Sequence, residues 1–213
     1  MYYGPTILKM AGFGNEDNIE ETLILSIPLA LVNALGTLIA IYFTDKLGRR
    51  FIILRTTFPM AGALLVLATG LGLYSFCSDL MLQNLGSWLS LVGMVLYLIF
   101  FSIGMGNAPW TINSEIYPLH LRGAGMSCST FSNWGFNYCV SQLFLTLTAT
   151  PVGEVCTFAG LSLMAVCTWM FTYFYIPETK GRTIEDIVEE LCPNSRRINS
   201  REYERYSDEV GES

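Results

Sequence analysis

Long apolar runs alternate with short polar segments along this sequence. A hydrocarbon core about 30 Å thick needs roughly 20 apolar residues in a helix, and five runs are long enough. They are residues 22–44, 52–76, 86–112, 123–149 and 155–176. Because lipid offers the backbone no hydrogen-bond partner, each run is predicted to be a transmembrane helix. A further stretch, Tyr2 to Phe13, is too short to span.

The composition points to the same class of protein. Hydrophobic residues make up 52% of the 213 positions and charged residues only 14%, a balance that suits lipid better than water. The net charge of −6 comes mostly from the segment after Ile176, so it says little about the apolar body. The sequence carries no nucleic-acid signature, and no nucleic-acid partner is predicted.

The distribution of charge in the connecting segments predicts an orientation. The segment after the first run is rich in basic residues, namely Lys46, Arg49, Arg50 and Arg55, whereas the loops at 77–85 and 150–154 hold only Asp79 and Glu154. By the positive-inside rule, the basic segment, the loop at 113–122 and the C-terminal tail are cytoplasmic. The acidic residues between 16 and 21 then lie outside.

The third run contains a cluster of helix-breaking residues from Gly104 to Trp110, with Gly106 and Pro109 inside it. Breaks of this density are tolerated in a membrane where the freed backbone lines a cavity. We therefore predict an unwound or hinged half-helix at this point of the chain.

The cysteines and the single histidine give no sign of metal or catalytic chemistry. Six cysteines are spread without a CxxC pair or a Cys/His cluster, which favours free thiols packed as small apolar groups. Cys77 and Cys156 lie near predicted outer loops, but their spacing does not establish a disulfide. No catalytic residue, metal or cofactor is predicted, and the chain is not expected to be an enzyme.

Amide side chains inside apolar runs are expensive in lipid and suggest a function. Asn33 lies in the first run, and Asn133 and Asn137 share one helical face beside Trp134 in the fourth. An amide both donates and accepts hydrogen bonds, which suits a ring of hydroxyl groups. The alternative is an interhelical hydrogen bond that only holds the bundle together.

Three charged motifs carry a family resemblance. They are Asp45 to Arg50, Glu115 to Arg122, and Pro177 to Gly181. In order and spacing they resemble the cytoplasmic signatures of the sugar porter family of the major facilitator superfamily, and the similarity extends to about Glu190. It implies an all-α membrane protein that forms the C-terminal half of a twelve-helix bundle, with five complete transmembrane helices, eight to twelve, and a remnant of the seventh.

The resemblance implies four parts. Residues 1–21 are expected to hold the end of helix seven and an extracellular loop, and residues 22–176 the helices eight to twelve. Residues 177–191 are expected to form a cytoplasmic amphipathic helix, since apolar residues from Ile184 to Leu191 have helical spacing. Residues 192–213 are expected to be a flexible cytoplasmic tail.

The resemblance also implies roles for individual residues. Asn33, Trp110 and Asn137 match sugar-contacting positions, with Asn133 adjacent, and Tyr2 and Tyr3 match the outer gate. The segment from Gly104 to Pro118 is most similar to proton/myo-inositol cotransporters. Many glucose carriers have a glutamate where this chain has Ser102, and this difference disfavours glucose.

The same resemblance implies a cytoplasmic charge network that closes the inner side of the carrier. Its members are Asp45, Arg49, Arg50, Glu115, Arg122 and Glu178, with the arginines facing the two glutamates. Arginine can hold both oxygens of a carboxylate, which gives such pairs directional strength. The alternative is ordinary surface pairing, worth about 0–1 kcal/mol for each pair.

The function implied is transport of myo-inositol or a related sugar or polyol by alternating access, coupled to protons in the full-length carrier, of which this chain is a truncated half. The implied partners are the small-molecule substrate, protons, the lipid bilayer, and the missing N-terminal six-helix half or a full-length relative. The implied location is the plasma membrane. Two alternatives remain, a facilitative hexose transporter and a non-transporting half-carrier that binds full-length relatives.

Overall fold

The computed structural model describes residues 3–13, 19–118 and 121–191, and over these ranges it is built from helices joined by short connections. The helices are α1 (Gly4–Met10), α2 (Ile19–Leu47), α3 (Arg49–Phe76), α4 (Leu80–Phe100), α5 (Ala108–Glu115), α6 (Arg122–Leu147), α7 (Pro151–Tyr175) and α8 (Ile184–Leu191). A π-helical turn, Phe101–Met105, follows α4 directly.

All five predicted spans form helices, but they are not equally apolar. In the part of the chain that the structure describes, four stretches are long and apolar enough to cross a membrane: Ser26–Thr44, Arg49–Phe76, Leu80–Glu115 and Pro151–Tyr175. The fourth predicted span, α6, is 26 residues long and does not reach the same hydropathy. The physical reason is the many hydroxyl and amide side chains of α6.

Helix α3 is the centre of the bundle. It packs mainly against α4 and α7 and also contacts α2, the π-helical turn and α5. Its leucines Leu64, Leu67 and Leu71 are at most 4% exposed. Two side chains of α7 hydrogen-bond to α3 carbonyl oxygens: Ser162 Oγ donates to Ala61 at 2.8 Å and Trp169 Nε1 to Leu54 at 3.0 Å. These bonds fix α7 along α3.

Glycines let α3 and α4 approach backbone to backbone. A methyl group built on Gly93 would lie 2.6 Å from the main-chain nitrogen of Leu67, and one built on Gly86 would lie 2.6 Å from that of Tyr74. Small residues at such contacts are the usual means by which membrane helices gain packing area. The close contact between α3 and α4 therefore depends on the absence of side chains at these positions.

The predicted break in the third span is confirmed. After α4 the chain passes through the π-helical turn, and α5 then begins at Ala108 with Pro109 in its first turn. The turn is wedged between two neighbours, because a methyl group on Gly104 would meet Thr56 of α3 and one on Gly36 of α2 would meet Ser102. The backbone irregularity is thus held in place by packing.

Cysteine pairing is absent from the described residues. Cys77, Cys128, Cys139, Cys156 and Cys167 are all free thiols, so the pairing of Cys77 with Cys156 that the sequence left open does not occur in this structure. The sixth, Cys192, lies outside the described residues, as does the rest of the expected tail. In α8, Ile187 is 1% exposed, and the preceding Thr183 accepts a hydrogen bond from the Asp186 main chain at 3.3 Å.

The glycine contact predicts the effect of a single methyl group. Gly93→Ala should lower the free energy of unfolding by about 1–3 kcal/mol, the range for overpacking a tight interface, since the atoms it meets are backbone. Gly62→Ala is the matched control, because nothing lies within 4 Å of a methyl group there. Thermal unfolding in detergent measures both, and equal midpoints for the two variants would contradict this packing.

Candidate functional site

Helix α6 presents polar side chains on an exposed surface. Phe144 is its one buried residue. The exposed polar residues are Ser127, Ser132, Asn133, Asn137, Gln142 and Thr146. Each polar group that lacks a partner in hydrocarbon costs several kcal/mol, so a helix of this composition is unsuited to lipid on all sides. Its polar surface requires water or another protein surface beside it.

The predicted amides lie at the surface of the bundle. Asn133 and Asn137 are exposed, Asn33 of α2 is partly exposed, and among the described residues their side-chain amides have no hydrogen-bond partner. The alternative in which these amides hold the bundle together by interhelical bonds is therefore not what this structure contains. Trp134, between the two α6 asparagines, is 57% exposed.

Trp110 lies on α5, a helix that contacts α6. It lies in the first turn of α5, directly after the break, and is 43% exposed. Helix α5 contacts α6, and the hydroxyl groups of Tyr117 and Ser129 are 2.9 Å apart where the two helices meet. Trp110, Asn133 and Asn137 thus lie on neighbouring helices, whereas Asn33 lies on α2, which packs against α4 and the π-helical turn.

Ser102 is not exposed to this region. It is 1% exposed, and its hydroxyl donates to the carbonyl oxygen of Ile99 at 3.1 Å. Because the side chain packs against Gly36, a larger acidic residue would not fit here without movement of α2. The sequence comparison with glutamate-containing carriers gave no indication of this packing.

At the other end of α6, Tyr3 connects α1 to the bundle. Its hydroxyl donates to the Ser141 carbonyl oxygen at 2.8 Å, and its ring stacks on Phe144 with a centroid distance of 4.5 Å. Phe144 was not singled out by the sequence, since a phenylalanine in an apolar run carries no special signal. Tyr2, the other predicted gate residue, lies outside the described residues.

Charged residues meet at the opposite end of the bundle. Arg49 Nη2 lies 3.2 Å from Glu115 Oε1, and the two side chains are 16% and 28% exposed. This ion pair joins the start of α3 to the end of α5. The second carboxylate oxygen of Glu115 is buried and has no hydrogen-bond partner among the described residues.

Glu178 takes a different position from the one the sequence suggested. Its carboxylate binds main-chain amides rather than a guanidinium group: Oε1 accepts from the nitrogen of Arg49 at 3.0 Å and Oε2 from that of Phe51 at 3.3 Å. It thereby caps the amino terminus of α3, where orphan amides and the helix dipole favour a negative charge. Gly48 makes room for it, with φ of 101° and no side chain to meet the carboxylate.

The remaining charged residues of the predicted network also differ from a set of direct ion pairs. Arg50 donates to the Tyr173 carbonyl oxygen at 2.6 Å. Arg122 makes no ion pair with a described residue, and its Nε is buried without a hydrogen-bond partner there. The side chain of Asp45 lies outside the described part of the chain.

Long apolar helices, a broken span, exposed amides and a charged cluster at one end of the bundle are typical of membrane transporters. Residues 1–191 match the family described as sugar (and other) transporter, and the chain belongs to this family. The prediction of a sugar porter with the major facilitator fold is thereby confirmed, and the chain is an integral membrane protein.

Three known proteins illustrate the similarity. Membrane transporter D1 of Leishmania donovani is 38% identical over 187 residues, which cover 88% of this chain and 33% of that protein. The human proton myo-inositol cotransporter is 29% identical over 267 positions, covering 88% and 40%. The structure of the major facilitator proton:xylose symporter XylE bound to 6-bromo-6-deoxy-D-glucose aligns with a TM-score of 0.72 and 26% identity, covering 87% and 37%. The chain therefore spans well under half the length of each.

The Glu178 cap generates a stability prediction. Glu178→Gln replaces the charged acceptor by a neutral amide that has one acceptor oxygen, so it should cost about 0.5–2 kcal/mol of unfolding free energy, the range for loss of a helix cap. Glu190→Gln is the matched control, because Glu190 is 52% exposed and pairs with Arg182 at the surface. Thermal unfolding in detergent should show a lower midpoint for the first variant only, and an unchanged midpoint there would refute the capping role.

Proposed function

We propose that these helices form one half of a carrier that moves myo-inositol or a related sugar or polyol across the membrane by alternating access. The observation that carries the proposal is the exposed face of α6 on which Asn133 and Asn137 lie one turn apart, with no hydrogen-bond partner among the described residues, on a helix that contacts α5, which bears Trp110. Family membership and the xylose symporter's fold support sugar transport as the class of activity.

The chemistry of the amides and of Trp110 supports a neutral polyhydroxylated substrate. Each amide supplies two donors and an acceptor, which match the alternating roles of sugar hydroxyl groups. The indole offers a flat apolar surface for the C–H face of a ring and one N–H donor. The five predicted spans contain no carboxylate, so a cationic substrate would find no opposite charge within them. Their single cation, Arg55, lies on an exposed surface of α3 and not on α5 or α6.

Myo-inositol, the substrate in the name of the human cotransporter, is proposed ahead of a related polyol. The alignment with the human cotransporter runs over 267 positions although only 88% of this chain takes part, so that relative carries insertions that this chain does not. Membrane transporter D1 aligns over 187 residues with the same coverage. Myo-inositol is therefore the first substrate to test, with a hexose and a linear polyol beside it.

A second half completes the proposed carrier. The face of α6 that carries Asn133 and Asn137 needs a partner other than lipid, and a matching half-bundle with water between the two supplies it. Proton coupling also depends on this second half, since the spans of this chain hold no mid-membrane carboxylate. If the partner is instead a full-length relative, the same face favours the role of a non-transporting half-carrier.

The Arg49–Glu115 pair is proposed to act as an inner latch. It ties α3 to the end of the broken span, which is the element expected to move when the crevice opens. The Glu178 cap holds the α3 end of the pair fixed. Basic residues at this end support a cytoplasmic orientation for it and for the C-terminus, and the plasma membrane is the location proposed.

Uptake in proteoliposomes tests the function. The carrier that contains these helices, or this chain reconstituted with an amino-terminal six-helix half, should take up labelled myo-inositol faster under an inward proton gradient. Equal uptake with and without the gradient would indicate facilitated diffusion, and uptake of glucose but not of myo-inositol would indicate a hexose carrier. No uptake, together with co-purification of a full-length relative, would favour the half-carrier.

One variant and its control link this uptake to the site. Asn137→Ala should raise KM by about tenfold with a smaller change in kcat, because it removes hydrogen bonds to the substrate. Gln142→Ala removes an exposed amide from the same helix but not from the predicted site, and it should leave KM within about twofold. Equal effects of the two variants would rule out a specific role for Asn137.

The latch generates a charge-swap prediction. Arg49→Glu should lower uptake by about tenfold, since two carboxylates then face each other, and the double variant Arg49→Glu/Glu115→Arg should recover most of the loss. Incomplete recovery is expected because the Glu178 cap stays negative beside the new glutamate. A double variant no better than the worse single variant would contradict direct coupling of the two residues.

A further inference from the structure

One charged residue lies inside the predicted spans and takes no part in the site above. Arg55 is the single Asp, Glu, Lys, Arg or His in the five apolar runs, and its side chain is exposed. It is six residues into α3, about 9 Å along the helix at 1.5 Å per residue. A cation at this depth on an exposed surface needs an anionic partner or contact with water.

The face of α3 that carries Arg55 has the composition of a lipid-contacting surface. Phe51, Arg55 and Phe58 are spaced four and three residues apart and share one side of the helix, and the same side continues to Leu65. Phe51 is 44%, Phe58 61% and Leu65 49% exposed, whereas the other sides of α3 are covered by its neighbours. Unlike α6, this face is apolar apart from Arg55, so acyl chains fit it.

The conformation of Arg55 places its charge near one membrane surface. Its guanidinium group lies over the Phe51 ring at 5.3 Å from the centroid, which is toward the start of α3, as helical side chains generally point. It makes no ion pair with a described residue. The guanidinium group is thus directed to the membrane surface at which α3 begins, and no described residue accepts a hydrogen bond from it.

Aromatic side chains of α7 continue this surface. Phe58 packs against Trp169 with centroids 5.8 Å apart, and Trp169 stacks on Tyr173 at 5.7 Å. Arg50 donates to the Tyr173 carbonyl oxygen and adds a second positive charge beside the aromatic group. Amphipathic rings at this depth are typical of the headgroup region.

We propose that the surface formed by Phe51, Arg55, Phe58, Trp169 and Tyr173 binds an anionic phospholipid. The planar guanidinium group of Arg55 holds the lipid phosphate through two N–H donors, and the acyl chains lie along Phe58 and Leu65. A zwitterionic lipid also carries a phosphate, but its own cation offsets the attraction, so a lipid with net negative charge is preferred. The inference depends on the chain spanning a membrane and not on what it transports.

Native mass spectrometry of the detergent-purified protein tests this site. Dioleoyl phosphatidylserine should form a discrete one-lipid adduct at least about tenfold more tightly than dioleoyl phosphatidylcholine, the factor expected for one charge-assisted contact. Arg55→Gln should reduce phosphatidylserine binding by about the same factor, and Arg55→Lys should retain an intermediate level because it keeps the charge without the planar fork.

Lys46→Gln is the matched control for general electrostatic attraction. Lys46 is exposed near the same end of the bundle, but its ammonium group already donates to the Tyr42 hydroxyl, so its loss should change lipid binding by less than about twofold. Equal losses for Lys46→Gln and Arg55→Gln would overturn the proposal.

Three further outcomes would overturn it without any variant. The first is equal binding of the two lipids. The second is full competition by soluble glycerophosphoserine, which would indicate a headgroup or free-phosphate site without acyl contacts. The third is a lipid-independent dimer, which would indicate that a second copy covers this face.

Discussion

Hydrocarbon gives a polar group no hydrogen-bond partner, and the placement of polar side chains in this chain follows from that constraint. Polar side chains of α7 donate to α3 carbonyl oxygens at two places, from Ser162 to Ala61 and from Trp169 to Leu54. Those of α6 are left exposed, which is stable only beside water or protein. The side of the bundle formed by α3 and α7 is therefore proposed to face lipid, and the exposed asparagines of α6 are proposed to face the substrate.

Helix α3 links the features on which the proposed carrier depends. Gly93 brings α4 against it, Thr56 supports the π-helical turn at Gly104, and its first residue holds the Glu115 pair. A shift of the broken span in the proposed carrier would therefore move Glu115 relative to Arg49. Helix α3 packs extensively against α4 and α7, whereas the packing of α6 against α5 and α7 is sparse. In the proposed carrier, α3, α4 and α7 would therefore be the fixed part and α5 and α6 the mobile part.

The fold was largely predictable from the sequence, because helix-length apolar runs in lipid permit few alternatives. The break at Gly104 was also predictable, since glycine and proline act locally. The contacts among Arg49, Glu115 and Glu178 were only partly predictable. Charge complementarity suggests which residues meet. It does not distinguish a carboxylate that binds an arginine side chain, as Glu115 does, from one that caps a helix, as Glu178 does. The stacking of Tyr3 on Phe144 joins residues 141 positions apart. Sequence patterns report on neighbouring positions, so they could not predict this contact.

The central claim is that the face of α6 with Asn133 and Asn137 borders a water-filled crevice. In the assembled carrier, with its native cysteines replaced, Asn137→Cys should react with a membrane-impermeant maleimide and be protected by substrate, because thiolate forms only where water reaches it. Leu65→Cys on the lipid-facing side of α3 should stay unreactive. Failure of Asn137→Cys to react from either side of the membrane would contradict the account.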